Sequence, residues 1–258
     1  MRIPALKGII DRRILINYRV ELGVLKEYLP APFKPLSVNG YGIAGICLIR
    51  LKQLGIKGFP AFPGMSFENA AHRIAVEWEE NGVTKTGVFI PKRSTSSRLT
   101  ALTGGKFFPG KHVLADFTTR EKDGYHEVQL IDQENTYLTI LSQETTRFPL
   151  GSVFQNLTAA SEFFQKGSVG YSPRYKNMVF EGLELKTFNW RVQPLRVNEV
   201  RSSFFENEAI FPKGSIFFDH ALLMKNIRHE WHALPEIITS HPIHLDLSKY
   251  GLETSQSI

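Results

Sequence analysis

The sequence is poor in cysteine: Cys47 is the only one among 258 residues. A single thiol excludes an intramolecular disulfide and a multi-cysteine metal site, and such sparse use of cysteine is typical of reducing compartments. Cys47 lies in an apolar run, where we expect a buried and inert thiol. His229 and His232, like His241 and His244, are three residues apart instead of the four of a zincin motif. We therefore predict neither a metal nor a cofactor.

Long apolar segments are missing as well. No window approaches about 18 consecutive apolar residues, and the first residues lack the apolar stretch of a secretory signal, so we expect a cytoplasmic protein without membrane contact. Charge of one sign is also limited, because 31 Lys and Arg against 25 Asp and Glu give a net charge of +6. The basic residues are scattered and match no nucleic-acid recognition motif. We expect the excess positive charge to lie on the solvated surface. A basic nucleic-acid-binding protein ranks third, after the two functions predicted below.

The chain instead carries the two-residue periodicity of β-strands. In residues 13–20 the apolar side chains of Ile14 and Ile16 alternate with those of Arg13 and Asn17, as in a strand that is half buried. Similar patterns recur along the chain. They favour a mainly β (α+β) fold, either a barrel or a sandwich, as one domain over residues 1–258.

The strongest local signal is Asn81-Gly82, which predicts a hairpin between strands 67–80 and 83–90. We expect Pro91 to end the second of these strands, because proline cannot donate to the ladder. The other predicted strands are 41–52, 112–120, 126–131, 136–142 and 183–200. Short helices are predicted at 21–29, 97–102 and 159–166, the last of them capped by Thr158 and ended by a left-handed Gly167.

Charged residues inside patterns that otherwise look buried mark a first candidate site, because an ion in a low-dielectric interior must be paired or functional. In strand 67–80, a period of two places Glu68 and His72 on one face about 13 Å apart, with Arg73 beside them. Glu68 and His72 could border one cavity. The alternative is a histidine at the edge of the core and a carboxylate at its rim.

Two lysines offer a second chemistry. Lys92 lies in Pro91-Lys92-Arg93, and Lys106 precedes two phenylalanines. A lysine beside another cation, or desolvated among aromatic rings, loses its proton more easily and can attack a carbonyl. The alternative is a surface loop with solvated cations.

In residues 167–173, which include Tyr171, two glycines could bring backbone amides close to an anionic ligand or could form a plain turn.

Several stretches carry a resemblance to a known family. Residues 12–20, followed by Pro-Ala-Pro-Phe at 30–33, resemble the start of the acetoacetate decarboxylase family, and Phe218-Asp219-His220-Ala221 is similar to a later segment of it. The sequence looks most like a bacterial branch of this superfamily, a domain of unknown function. The stretches that suggest this branch are residues 39–50, 66–78 and 167–173. The resemblance implies a cone-shaped antiparallel β barrel with an enclosed cavity, flanked by further strands and short helices.

The same resemblance implies a lysine chemistry. The decarboxylases form a Schiff base on the first lysine of a Pro-Lys-Lys motif, where the second lysine and an apolar pocket lower its pKa. Here Pro91-Lys92-Arg93 keeps the shape of the motif but lies early, and Lys106 is better placed but follows two glycines. The family's pocket glutamate would correspond to Glu68, and its arginines near the first strand to Arg12 or Arg13.

We therefore predict a cavity protein that binds a small carboxylate or carbonyl compound. It would act as a decarboxylase-like lyase through an imine on Lys106 or, as second choice, Lys92, with Glu68 as pocket acid or base. The predicted substrate-binding side chains are those of Arg98, Arg12, Arg13, His72, Arg73 and Tyr171. The alternative is a non-catalytic ligand-binding module with the same cavity and no activated nucleophile. A homo-oligomer is compatible with the sequence.

Overall fold

The computed structural model of the chain describes residues 5–59, 66–102, 109–174 and 179–239. The strands in these residues are β1 (Leu6–Glu21), β2 (Lys34–Pro35), β3 (Ser37–Val38), β4 (Tyr41–Ile56), β5 (Ser66–Glu80), β6 (Val83–Thr95), β7 (His112–Lys122), β8 (Tyr125–Asp132), β9 (Tyr137–Glu144), β10 (Val169–Arg174), β11 (Val179–Thr187), β12 (Gln193–Ser202) and β13 (Ile216–Ile238). The helices are α1 (Leu22–Tyr28), α2 (Arg98–Leu102) and α3 (Leu157–Lys166). Within these ranges, no helix combines the length and the apolar character needed to cross a membrane.

All of these strands belong to one hydrogen-bonded sheet, which confirms the prediction of a mainly β fold. Its order is β11-β10-β6-β7-β8-β9-β12-β13-β1-β4-β5-β2, with β3 paired to β4 and with additional pairings of β11 to β13 and β6 to β5. These pairings close the sheet on itself twice. One circuit runs through β6, β10, β11, β13, β1, β4 and β5, and the other returns from β6 to β13 through β7, β8, β9 and β12. Neighbouring strands are antiparallel, except that β6 runs parallel to both β7 and β10.

The central strands are buried on both faces. In β1, Ile14 and Ile16 lie in the largest apolar cluster, while Leu15 between them lies in a second cluster with Phe164 of α3. Successive side chains of a strand point to opposite faces. Consecutive charged residues in these strands therefore enter two different environments.

Strand β6 continues through Pro91, so the expectation that the proline ends it is wrong. The register shifts between His72 and Ile74 of β5, so that Arg73 lies opposite both Ile90 and Pro91. Two residues opposite one form a β-bulge, where the missing N–H of proline costs no ladder hydrogen bond. The bulge allows the strand to carry further residues past the proline.

Other predicted elements are confirmed with different details. The hairpin turns at Asn81-Gly82, whose φ angles of 53° and 74° are those of a tight turn. The cap of α3 is Asn156 and not Thr158, and Gly167 ends the helix with a φ of −75°, which is not left-handed. The predicted strand 183–200 is two strands, because the chain leaves the sheet between β11 and β12.

Candidate ligand-binding cavity

A cavity of about 260 Å³ is lined by residues of β1, β4, β5, β6, β7, β10, β11, β13 and α3. Aliphatic and aromatic side chains make up most of its wall. Its polar and charged side chains include those of Arg13, Cys47, Asn69, Arg73, Arg93, Ser94 and His112. The lining also includes Thr86 and Lys166, which are both exposed, so the cavity opens to solvent at that end.

Strand alternation brings three guanidinium groups to this cavity from three strands. Arg13 Nε on β1 donates a hydrogen bond to Cys47 Sγ at 3.0 Å, and Arg93 Nε on β6 donates to Ser172 Oγ at 3.0 Å. Arg73 enters from β5. In the part of the chain that the structure describes, none of the three forms an ion pair with a carboxylate.

Arg73 is the most deeply buried of the three, with 5% of its surface exposed. Its guanidinium lies 4.8 Å from the centre of the Phe164 ring, and Nη2 donates to Asn17 Oδ1 at 2.5 Å. Its Nε has no hydrogen-bond partner within the described ranges. Burial, helped by the positive charge of Arg13, lowers the pKa of Arg73 to about 10. Arg73 is thus a buried cation in the cavity wall without a carboxylate partner among the described residues.

Arg93 is half-buried, and its Nε already donates to Ser172 Oγ. Burial lowers its pKa to about 10, against the opposing attraction of Cys47 and Glu181. The Glu181 carboxylate is already engaged, because it accepts hydrogen bonds from Gly110 N at 2.8 Å and from Arg174 Nε at 2.9 Å. Glu181 therefore moderates the positive charge at this end of the cavity without forming an ion pair with Arg93.

Gly45 leaves room for Arg73 to contact Asn17. Asn17 of β1 lies opposite Gly45 of β4, which in turn lies opposite Arg73 of β5. A Cβ atom at position 45 would lie 2.2 Å from the Ile16 carbonyl oxygen and 3.3 Å from Asn17 Oδ1. Any side chain at position 45 would collide with the backbone of β1. Glycine therefore leaves space beside β4 for the hydrogen bond from Arg73 to Asn17.

A buried polar chain continues from Asn17. Asn17 Nδ2 donates to His220 Nε2 at 3.0 Å, and His220 Nδ1 donates to Asp219 Oδ1 at 2.5 Å, which requires the Nδ1-protonated tautomer. Ser152 Oγ also donates to Asp219 Oδ1, at 2.5 Å. Although burial opposes it, hydrogen bonds from His220 and Ser152 hold the pKa of Asp219 below its usual value. The chain orients Asn17 so that its oxygen faces Arg73.

On the faces of these strands that point away from the cavity, the charged groups form ion pairs. We call these faces the paired face (Arg12, Glu68, His72 and Lys92), and we call the faces that point to the cavity the cavity face (Arg13, Cys47, Arg73 and Arg93). Arg12 is 1% exposed and donates to Glu68 Oε2 at 2.6 Å and to Glu121 Oε1 at 2.5 Å. Arg50 donates to the same two carboxylates at 2.7 and 2.5 Å. The buried cation of the paired face is therefore neutralised.

Comparison with known proteins identifies the fold. A scan against protein-family models and a search of the curated proteins found no match. Among solved structures, acetoacetate decarboxylase from Legionella pneumophila subsp. pneumophila str. Philadelphia 1 has a TM-score of 0.56 and 12% identity, over 90% of this chain and 87% of that chain. An acetoacetate decarboxylase-like enzyme from Sphingomonas wittichii RW1 has a TM-score of 0.53 and 11% identity, over 91% and 94%. The enduracididine biosynthesis enzyme MppR complexed with pyruvate has a TM-score of 0.50 and 10% identity, over 90% and 88%.

The chain has the acetoacetate decarboxylase-like fold. This confirms the family resemblance of the sequence at the level of the fold. The resemblance to one bacterial branch stays a prediction, as does the single domain over residues 1–258. At identities of 9–12%, the likeness carries no residue roles, so the roles in this acetoacetate decarboxylase-like fold follow from the geometry of its own site.

The cavity of this acetoacetate decarboxylase-like fold unites two of the predicted site residues, Arg13 and Arg73. Lys92 lies elsewhere, on the paired face, where Nζ contacts Asp132 Oδ2 at 3.2 Å and Glu134 Oε2 at 2.7 Å. Lys106 lies outside the residues that the structure describes. A catalytic role for either lysine remains a prediction.

The remaining predicted residues lie away from the cavity wall as far as the structure describes it. Glu68 and Arg12 bind each other on the paired face. His72 is completely buried beside the Phe204 ring, at 4.6 Å between ring centres. The last two predicted residues also lie outside the cavity lining. They are Tyr171, whose hydroxyl donates to the Pro235 carbonyl at 3.3 Å, and Arg98, which is exposed at the start of α2.

Sequence reasoning missed several polar residues of the cavity, among them Arg93, Cys47, Asn69, Ser94 and His112. Arg93 enters the sequence prediction only as the residue that follows Lys92. Because successive residues of a strand point to opposite faces, Arg93 points to the cavity when Lys92 points away from it. Cys47 is buried, as expected, but it lines the cavity and accepts a hydrogen bond from Arg13. Within the described ranges, no group of three or more His, Cys, Asp and Glu side chains could hold a metal ion.

Proposed function

We propose that this protein binds a small organic carboxylate in the cavity, with Arg13, Arg73 and Arg93 as its anchors. The observation that carries the proposal is the set of three guanidinium groups in one cavity wall without an ion-pair partner among the described residues. A buried charge without a counter-charge is costly. An anionic ligand would supply the missing counter-charge and would accept charge-assisted hydrogen bonds from the guanidinium groups.

The size and the composition of the cavity narrow the class of ligand. Cavities of about 150 Å³ hold benzene, so about 260 Å³ suits a ligand of roughly ten non-hydrogen atoms. The mostly apolar remainder of the wall favours an organic acid with a carbon skeleton over an inorganic anion. The MppR structure with pyruvate bound supports a small oxo acid as the first probe, because it places such an acid in a protein of this fold.

Calorimetric titration with matched ligands tests the proposal. Pyruvate and its uncharged amide have nearly the same size and differ in charge. Charge-assisted hydrogen bonds contribute about 1.5–3 kcal/mol, so we expect pyruvate to bind at least about tenfold more tightly than pyruvamide at constant ionic strength. Equal affinity for the two compounds, or binding of neither pyruvate nor other small mono- and dicarboxylates, would contradict the proposal.

Catalysis through an imine is the finer form of the same proposal. Lys92 is the less suitable nucleophile for this proposal, because its Nζ contacts the carboxylates of Asp132 and Glu134 and the residue does not line the described cavity. Lys106 remains the sequence-based candidate, and Lys166 lines the exposed end of the cavity. Borohydride reduction in the presence of 2-oxo and 3-oxo acids, followed by peptide mapping, decides among them. No mass adduct on any lysine would leave the non-catalytic ligand-binding module as the function.

A further inference from the structure

The environment of Cys47 suggests a second chemistry in the same cavity. Cys47 is 4% exposed, lines the cavity from β4, and accepts a hydrogen bond from Arg13 Nε at 3.0 Å. The cavity opens to solvent near Thr86 and Lys166, so a small molecule that enters can reach the sulfur. It is also the only thiol of the chain, which makes any sulfur chemistry traceable to one residue.

Three guanidinium groups border the cavity that the sulfur lines. Neighbouring cations stabilise a thiolate relative to a thiol, and the thiolate is the nucleophile. The cavity wall supplies three guanidinium groups, of which Arg73 is 5% exposed and has an unpartnered Nε among the described residues.

From this geometry we propose that Cys47 is a cavity nucleophile that is selective for small carboxylates with an electrophilic carbon next to the carboxyl group. The inference rests on the proposed function, because the guanidinium groups that bind the carboxylate also hold the reactive carbon beside the sulfur. Arg13 contacts Sγ, and Arg73 and Arg93 border the same space. Positioning of the two reactants converts a bimolecular reaction into one between neighbours.

The step is simplest for a 2-haloacid such as iodoacetate. The Cys47 thiolate attacks the CH2 carbon, the C–S bond forms, the C–I bond breaks with its electron pair, and iodide leaves. The product is a carboxymethyl thioether, and no oxidant or further reactant is required. Its carboxylate stays in the field of the guanidinium groups, so it would also occupy the site proposed for the ligand.

Alkylation by two reagents of different charge tests the inference. The rates of modification by iodoacetate and by neutral iodoacetamide are measured by intact mass on the folded chain and on the chain in urea. We expect the ratio of the iodoacetate to the iodoacetamide rate to be at least about tenfold higher in the folded chain, because a cationic cavity concentrates the anionic reagent. A folded-chain ratio no higher than that in urea, or no modification of the folded chain by either reagent, would overturn the inference.

Two variants locate the origin of the selectivity. Arg13→Met and Arg73→Met should each lower the folded-chain ratio several-fold, about as expected for the loss of one cationic neighbour. Arg196→Met removes an exposed arginine of β12 at the same cost in net charge and should leave the ratio unchanged. Equal effects of all three substitutions would assign the selectivity to net charge and overturn the inference. The thermal midpoint Tm of each variant identifies any that fails to fold, in which case the comparison with urea still decides.

The result is separable from the fate of the proposed function. If pyruvate binds and protects no cysteine, and the ratio equals that in urea, the inference about Cys47 fails while carboxylate binding stands. If the ratio is raised but pyruvate does not bind, the proposed carboxylate-binding function fails, while the inference that Cys47 is a nucleophile beside cationic side chains stands. Protection of Cys47 from iodoacetate by pyruvate, in proportion to its occupancy, is the outcome expected if both are correct.

Discussion

The two faces of the central strands place adjacent residues in opposite electrostatic situations. Arg12 is held by two carboxylates, whereas Arg13, the next residue, contacts a sulfur and has no ion pair among the described residues. Lys92 and Arg93 repeat the contrast, with two carboxylates at the lysine and a hydroxyl at the arginine. The difference separates charged groups that are neutralised by ion pairs within the protein from charged groups that are available to bind a ligand.

The contrast matters because each face contains an almost completely buried arginine, Arg12 on the paired face and Arg73 on the cavity face. Removing a charge from water costs several kcal/mol unless it is paired, and the paired face satisfies that condition internally. The cavity face does not, so its cations lower the stability of the empty protein. Groups retained at such a cost mark candidate functional sites. Substitutions on the two faces should therefore differ in their effects on stability and on ligand affinity.

The largest effect is expected for Glu68→Leu, on the paired face. The substitution removes a carboxylate that two arginines share and leaves Arg12, 1% exposed, with only Glu121 among the carboxylates that the structure places beside it. Breaking a buried pair in this way costs about 3–5 kcal/mol in the free energy of unfolding, measured by urea denaturation. The double variant Arg12→Met/Glu68→Leu should recover part of the loss, because it removes both charges.

The matched control for that measurement is Glu79→Gln. Glu79 is an exposed residue of the same strand, and its side chain accepts a hydrogen bond from Thr84 that glutamine can also accept. It should leave the stability unchanged within error. A loss for Glu68→Leu no larger than that of the control would show that buried ion pairs do not stabilise the paired face.

The next effect is expected for Arg73→Met, on the cavity face. The loss of charge-assisted hydrogen bonds of about 1.5–3 kcal/mol should weaken pyruvate binding about tenfold to hundredfold. The free energy of unfolding without ligand should change little, because removal of an unneutralised buried charge offsets the loss of the hydrogen bond to Asn17. Calorimetry and urea denaturation measure the two quantities, with Arg196→Met as the control for net charge. Unchanged affinity, or a large loss of stability, would place Arg73 with the structural charges instead.

Much of this contrast could be predicted from the sequence. The two-residue period of a strand is enough to place Arg12 and Arg13 on opposite faces of β1. The same period places His72 and Arg73 on opposite faces of β5. The sequence could not supply the partners. Glu121 lies 109 residues from Arg12, and their contact depends on how strands of the two circuits meet. No local pattern encodes that meeting.

The position of Arg93 shows a second limit. Because proline removes a donor, the sequence predicts that β6 ends at Pro91 and that a polar connection follows. The β-bulge opposite Arg73 accommodates the proline, and β6 carries Arg93 to the cavity. A bulge depends on the register of the partner strand, and that register is fixed by packing on both faces. The sequence of β6 alone does not contain it.

A smaller effect concerns pH and His72, which is fully buried on the paired face next to Arg73 in sequence. Burial, with help from the Lys92 charge, lowers the pKa of His72 to about 3, against about 6.5 in the unfolded chain. Between these values the unfolded chain binds more protons, so the stability from this group is complete above pH 6.5 and is lost as the pH falls toward 3.

The variant His72→Leu should remove that contribution. Its free energy of unfolding should fall more slowly than that of the wild type by about 1.4 kcal/mol per pH unit below pH 6. Urea denaturation at pH 6 and pH 5 measures the difference. Parallel pH dependences in the two proteins would mean that His72 reaches solvent or a partner when protonated. Pyruvate affinity at pH 7 should be the same in both, because His72 does not face the cavity.

The smallest effect is expected for Tyr171→Phe, and it tests the assignment of faces most directly. The ring of Tyr171 packs against Trp78, with 5.4 Å between ring centres, and its hydroxyl donates to Pro235 O at a long 3.3 Å. Loss of that bond should cost about 0.5 kcal/mol of stability, since weak neutral hydrogen bonds contribute little. Pyruvate affinity should not change, because Tyr171 does not line the described cavity. A tenfold loss of affinity in calorimetry, with stability maintained, would place the ligand beside Tyr171 and away from the three arginines.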